Sequence, residues 1–494
     1  MASKVSSRKR QGKRALGRSA GPGSERLHGE AASLPSARPR RELTFFAFLL
    51  LLLFVVYNSN LRTVSTFDAL PARLLPFSIL LDHSLYLDQW IQPHLAELQG
   101  PQEAWFAAKS HDHWMSAYPI ITPLAVTPLY VLPAWWLSRH SPPLYPHSHA
   151  FVVITLTMEK LCASLIAAIS GAVLFLALCK IASRNVSLVV ALIYALASNT
   201  WTISSQALWR HGLTELSFAF LLWALFRVPD SPSAPFWAGL ALAMAAANKP
   251  LEAILTVPFM IYFGRRHWKN LLLFLTPLVV LGSLELAYNL YFFARLLGGY
   301  PAPAFVKEGG AHLSFWAHLA GGLPGSLVSP SRGLLVYMPW TAFAFWGAAK
   351  LWKEKSPAWS RPFILALAAI LVVQVTGGDW WGGWCFGPRY LTDLLPFLAW
   401  FLVPVLTSLR ARPVLWVAFA ATVAIALWVQ VVGAFYYPAG NWDKFPVSVD
   451  VEPRRVWDWS DTQILRSWRA GPAPPILLHE WESMLQPRNG APPP

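Results

Sequence analysis

A chain of 494 residues that is 55% hydrophobic and only 13% charged, with 26 Trp and a mean hydropathy of +0.40, falls outside the range of soluble domains. The formal charge of +15 would suit nucleic acid, but roughly half of it lies before residue 43 and most other Lys and Arg flank apolar runs, which is a topology signal. The composition therefore predicts an all-α polytopic membrane protein and excludes a nucleic-acid partner.

The first 42 residues are basic, contain Gly, Ser and Pro, and lack an apolar face, so they read as a disordered cytoplasmic tail. No small-residue cleavage pattern follows the first apolar run, which makes that run a retained anchor. Further apolar runs give about eleven spans in all. They cover 43–59, 159–180, 185–206, 212–228, 235–248, 250–264, 270–292, 333–351, 361–377, 390–408 and 413–435. The fifth and sixth meet at AAANKPLEA and read as a hairpin or as broken helices. Tyr118 to Leu137 is apolar enough for a further span but carries four prolines, each of which removes a backbone bond that lipid cannot replace. It reads as an interfacial or re-entrant piece of a long first loop, 60–158.

Eleven spans and a cytoplasmic N-terminus put the basic turns on one side: Lys180 with Arg184, Arg227, Arg265 with Arg266 and Lys269, Lys350 with Lys353 and Lys355, and Arg410 with Arg412. The domain expected over 43–435 then sends a different set of loops outward, followed by an extracytoplasmic tail, 436–494. That tail is expected to lie on the outer loops as a lid, anchored by Trp457 and Trp459. Cys162, Cys179 and Cys385 are too few for a disulfide framework.

Polar residues concentrate on the outer loops. Asp68, in TVSTFDALPARLL, stands about ten residues beyond the first span, where a partly desolvated carboxylate can take a proton from an incoming hydroxyl. Arg73 is read as the ion-pair partner of a loop carboxylate. Arg210 with His211, Lys249, Arg332 and Arg389 are cations that ask for an anionic partner such as a phosphate; pairs with Asp379 and Glu215 or snorkelling are the plainer explanation. In GGDWWGGWCFGPRY the glycines permit close approach, and tryptophans such as Trp381 suit either an interfacial belt or a sugar face. SPSRGLLVYMPW places Arg332 at the mouth of a span with Tyr337 one turn inside.

His111, Asp112 and His113 offer metal donors, but two His at i and i+2 do not face one way on a helix. A divalent cation, Mg or Mn, held by Asp68, Asp112 and lipid phosphate oxygens is the more natural site. The sequence has no P-loop, GxSxG or dinucleotide fingerprint.

These features resemble the GT-C superfamily, the multispan glycosyltransferases that include protein O-mannosyltransferases and lipid A aminoarabinose transferases. The residues that carry the resemblance are Asp68 in TFDALPARLLPFSILL, the run SAYPIITPLAVTPLYVLP and about eleven spans, with short segments similar to bacterial members: WTISSQALWRHG, LVSPSRGLLVYMPW and WWGGWCFGPRYLTDLLPF. The family often has two adjacent acidic residues in the first loop, whereas Ala69 follows Asp68 here.

The resemblance implies a GT-C-like bundle with interfacial helices in the first outer loop. It also implies inverting transfer of a sugar from a polyprenyl-phosphate donor to a glycan, lipid or protein acceptor at the extracytoplasmic face of a bacterial inner membrane, with an ER membrane as the alternative location. Asp68 is then the general base, Lys249, Arg332 and Arg389 hold the donor phosphate, and Arg210, His211, Tyr337, Asp379 and Trp381 contact acceptor or sugar. The competing readings are a transporter or flippase of lipid-linked saccharide, which needs polar residues through the middle of several spans, and a non-enzymatic scaffold.

Overall fold

The computed structural model describes residues 39–91, 105–140, 148–299, 311–409 and 411–485. Most of the expected N-terminal tail (1–38), parts of the first loop, Arg410 and the last nine residues lie outside them. The described residues are mostly helical, and their only sheet is a two-stranded antiparallel hairpin, Ala107–Ser110 with His113–Ser116.

Each of the eleven expected segments falls on helix. Among the described residues, five helices are long and apolar enough to cross a bilayer: Arg41–Asn58, Ile121–Arg139, His149–Leu178, Trp268–Phe293 and Pro413–Phe435. A sixth arises if Arg389–Phe401 and Val403–Leu409, bent by 42°, form one span. Others such as Arg184–Leu196, Ala234–Asn248 and Ser360–Val375 are apolar but short. At 1.5 Å per residue, 16 residues rise about 24 Å, less than the roughly 30 Å hydrocarbon core. The protein is thus a membrane protein, with Val279, Val280 and Leu284 of one span, and Val414 and Val417 of another, presenting apolar side chains outward to lipid.

One expectation changes. The first helix begins at Pro39, inside the stretch read as tail. The proline-rich stretch is helical from Ile121 onward, built from Ile121–Val126, the 3-10 turn Thr127–Tyr130 and Val131–His140. Pro119 precedes these pieces, and Pro123, Pro128 and Pro133 fall in their first turns, where a missing N–H costs little. The junction at Asn248 is a true break: Ala234–Asn248 ends, Lys249 is extended, and a 3-10 turn, Pro250–Leu255, leads into Thr256–Arg266.

Close helix approach depends on small residues. A Cβ on Gly239 would collide with the backbone of Phe274, and one on Gly347 with that of Phe401. The main core runs through most of the helices, while a second cluster under the first loop packs Phe77, Trp90, Tyr130 and Phe151. The three cysteines are free.

Candidate functional site

Asp68 enters on a 3-10 turn, Phe67–Ala69, that runs directly into the short helix Leu70–Phe77. The stretch before it is pinned by Val64 N–H and Thr63 Oγ1, both donating to Gln206 O. Arg389 Nη1 donates to Asp68 Oδ2 at 2.6 Å, and Trp105 Nε1 and Tyr118 Oη donate to Oδ1 at 2.7 and 2.9 Å. The Arg389 guanidinium lies over the rings of Trp209 and Tyr390, at 4.4 and 5.0 Å. Tyr390 in turn donates to Asp379 at 2.8 Å.

Burial alone would push the Asp68 carboxyl up. The Arg389 charge and the bonds from Arg389, Trp105 and Tyr118 outweigh it and hold the group below the usual carboxylate range. Tyr118 moves the other way, raised by burial and then by the Asp68 charge, so it remains a donor. The Asp68 side chain is still 23% exposed. It borders a narrow cleft, of about 10 Å³, lined also by Ser116, Tyr118, Thr122, Leu208 and Arg210. The Arg210 guanidinium covers the Tyr118 ring at 4.4 Å. A larger cavity, about 470 Å³, lies elsewhere between the hairpin and the end of Trp268–Phe293. The Asp68 carboxylate borders the smaller one.

His211 and Lys249 come together, but on Asp393: His211 Nδ1 is 2.9 Å from Oδ1, and Lys249 Nζ bonds Oδ2. Glu252, one turn beyond Lys249, is fully buried with neither carboxylate oxygen hydrogen-bonded among the described residues. Asn248 joins this group to the cleft by donating to Arg210 O and bonding Thr122.

Arg332 is placed differently from its expected phosphate role. Nε donates to Trp381 O, Nη1 to Ser331 O and Gln463 Oε1, and Nη2 to Gly383 O and Asp443 Oδ1, at 2.7–2.9 Å. A guanidinium has five N–H groups, and all five are engaged. Tyr337 belongs to the same knot, donating to Ser331 O and Gln463 Oε1, and Trp381 Nε1 donates to Asp450 at 2.8 Å. These residues dock the tail. The anchor is Trp442, 1% exposed, not Trp457 or Trp459, at 41% and 65%. Arg73 pairs with Glu159 of the His149–Leu178 helix at 3.4 Å, not with a loop carboxylate.

Asp68 and Asp112 are not brought together for a cation. Asp112 sits in the turn of the hairpin, whereas Tyr118, which binds Asp68, follows its open end. The four-residue ladder alone spans about 10 Å, far more than a shared coordination shell allows. Among the described residues no three His, Cys, Asp or Glu side chains cluster to hold a metal ion.

Trp105, Tyr118, Asp393 and Gln463 are site residues that the sequence reading passed over. Only Tyr118 carried a signal, at the head of the proline-rich stretch. Comparison with protein-family models, curated proteins and solved structures returns no match.

Proposed function

We propose that the chain is a membrane glycosyltransferase of the GT-C kind, acting on a polyprenyl-phosphate-linked sugar at the extracytoplasmic face of a bacterial inner membrane, with Asp68 as the base. The observation that carries this reading is an ionised, oriented and still accessible carboxylate at the edge of a cleft lined by Arg210. In the reaction an acceptor hydroxyl or amine attacks the anomeric carbon, the bond to the phosphate oxygen breaks with its electron pair, and the acceptor proton passes to Asp68. A carboxylate of lowered pKa is a weak base for a free hydroxyl. It suffices where the C–O bond to phosphate breaks early and the acceptor becomes acidic only as its own bond forms.

Charge on the departing phosphate falls to Arg210 and to Arg389, whose Nε is buried without a hydrogen-bond partner among the described residues. Lys249 is tied to Asp393 and contributes through that pair. The geometry does not fit the Mg or Mn ion on Asp68 and Asp112, so no step uses it.

The transporter reading draws on one observation: buried polar side chains do occur between the helices. Glu215 accepts from Tyr194 and Thr200 at 3.1 Å, and Gln430 bonds Thr202 and Asn199 at 2.8 and 3.3 Å. These groups satisfy one another, which suits a closed core better than a path.

The test is transfer of radiolabelled sugar from synthetic polyprenyl-phosphate sugars to a membrane extract, by purified wild type and Asp68→Asn in nanodiscs. Turnover by wild type alone, with donor binding retained in the variant, is the expected result. Equal turnover removes Asp68 from the mechanism, and movement of labelled lipid between leaflets without transfer replaces the enzyme with a transporter.

A further inference from the structure

Arg62 is a buried cation that nothing described above accounts for. It follows Leu61, whose φ of 49° is a left-handed conformation that a leucine adopts at a cost and that turns the chain sharply after the first helix. The Arg62 residue is 1% exposed, and its Nε and Nη1 have no hydrogen-bond partner among the described residues. Burial pulls its guanidinium down to about 10, which leaves it fully charged at neutral pH.

Its neighbour makes the need greater. Lys160, 2% exposed on the His149–Leu178 helix, donates only to neutral oxygens, Gln206 Oε1 at 2.7 Å and Ser205 O at 3.3 Å. Asn60, two residues before Arg62, donates to the same Gln206 oxygen at 2.7 Å. The charge of Arg62 acts on Lys160, and no described carboxylate offsets either one. The nearby Glu159 is already paired with Arg73.

A lone buried charge costs several kcal/mol, and two of like sign cost more. A lysine can shed its proton, but an arginine cannot, and its fork of donors matches phosphate oxygens. The C-terminal helix Ile476–Leu485 closes over this corner: Leu477 N–H donates to Leu61 O at 3.1 Å, and Trp481 Nε1 to Thr157 at 2.9 Å.

We propose that Arg62 and Lys160 form a second anion site, separate from the Asp68 cleft, that holds a phosphate group. The group comes either from a lipid headgroup or from free phosphate. The site does not rest on the glycosyltransferase reading.

The test uses the full chain, purified and delipidated in detergent. Its unfolding midpoint is followed against inorganic phosphate and against dihexanoyl phosphatidic acid, with chloride at matched ionic strength as reference. Ligand that binds the native state alone raises the midpoint by mass action, so a saturable rise of a few degrees is expected. The rise should vanish in Arg62→Met and persist in Asp68→Asn. A rise with both probes assigns the site to any phosphate group, and a rise with phosphatidic acid alone assigns it to a lipid headgroup. No saturable rise with either probe, or an undiminished rise in Arg62→Met, overturns the proposal. If Arg62→Met does not fold, equilibrium dialysis of labelled probe decides instead: Lys160→Met should weaken binding about tenfold or more, and unchanged binding overturns the site.

Discussion

Two arginines at the same end of the bundle face an aspartate and lie over an indole ring. Arg389 pairs with Asp68 over Trp209, and Arg332 pairs with Asp443 over Trp442. Both reach the loop Gly377–Tyr390, Arg332 by bonding its backbone and Arg389 as a member of it. They differ in what is left over. Every N–H of Arg332 is engaged and both partners are buried, whereas Arg389 keeps an unused Nε and Asp68 keeps an exposed edge. Saturated hydrogen bonding marks Arg332 as architecture. On the proposed reading, the spare capacity of the Asp68–Arg389 pair, whose carboxylate borders the cleft, makes it the place for a ligand.

The strongest way to break this contrast is Asp68→Asn. Loss of a general base should lower the transfer rate about 10²–10⁴-fold, with the fold kept as judged by circular dichroism and monodisperse chromatography. Arg332→Ala should act the other way round. It strands Asp443 in the interior and should cost about 3–5 kcal/mol, read as a lower unfolding midpoint and as proteolysis between residues 436 and 485. If instead Arg332→Ala abolished transfer at unchanged stability, the two arginines would have to exchange roles.

Arg389→Gln sharpens the comparison through pH. The Asp68 carboxyl is held below its unfolded value, so its pairing contributes stability above the ordinary Asp pKa of about 4, and that contribution is lost as pH falls through the folded value. Without Arg389, burial dominates. The acid limb of the transfer rate should then move up by about 1–3 pH units, and a limb that stays in place would detach Arg389 from Asp68. The smallest effect is expected from Tyr118→Phe, which removes one of three bonds to the carboxylate. It should cost about 1 kcal/mol of stability and shift the acid limb slightly in the same direction.

Much of the helical layout was legible, because long apolar runs between basic turns have few alternatives in a membrane protein. Asp68 and Arg389 could each be picked out from their surroundings. Their pairing across 321 residues could not, since no local pattern encodes a contact of that separation. Arg332 looked equally suited to phosphate because its closure depends on Gln463 and Asp443, in a tail whose docking is a tertiary event. The same gap explains Trp442: the five tail tryptophans look alike in sequence, and only packing against Val449 and Val456 selects this one. The prolines of Ile121–Arg139 did not set where its helices begin, since their cost depends on position within a turn, which the residue type does not reveal.

The Arg332 knot also sets a timetable for biogenesis. Gln463 is made 131 residues after Arg332, a delay of about 10 s at roughly 5–20 residues per second. For most of that interval, until Asp443 is made 111 residues after Arg332, the guanidinium has neither Asp443 nor Gln463. A nascent chain halted before the tail therefore carries an unclosed cation at this end of the bundle, a feature that distinguishes a truncated product from a finished one.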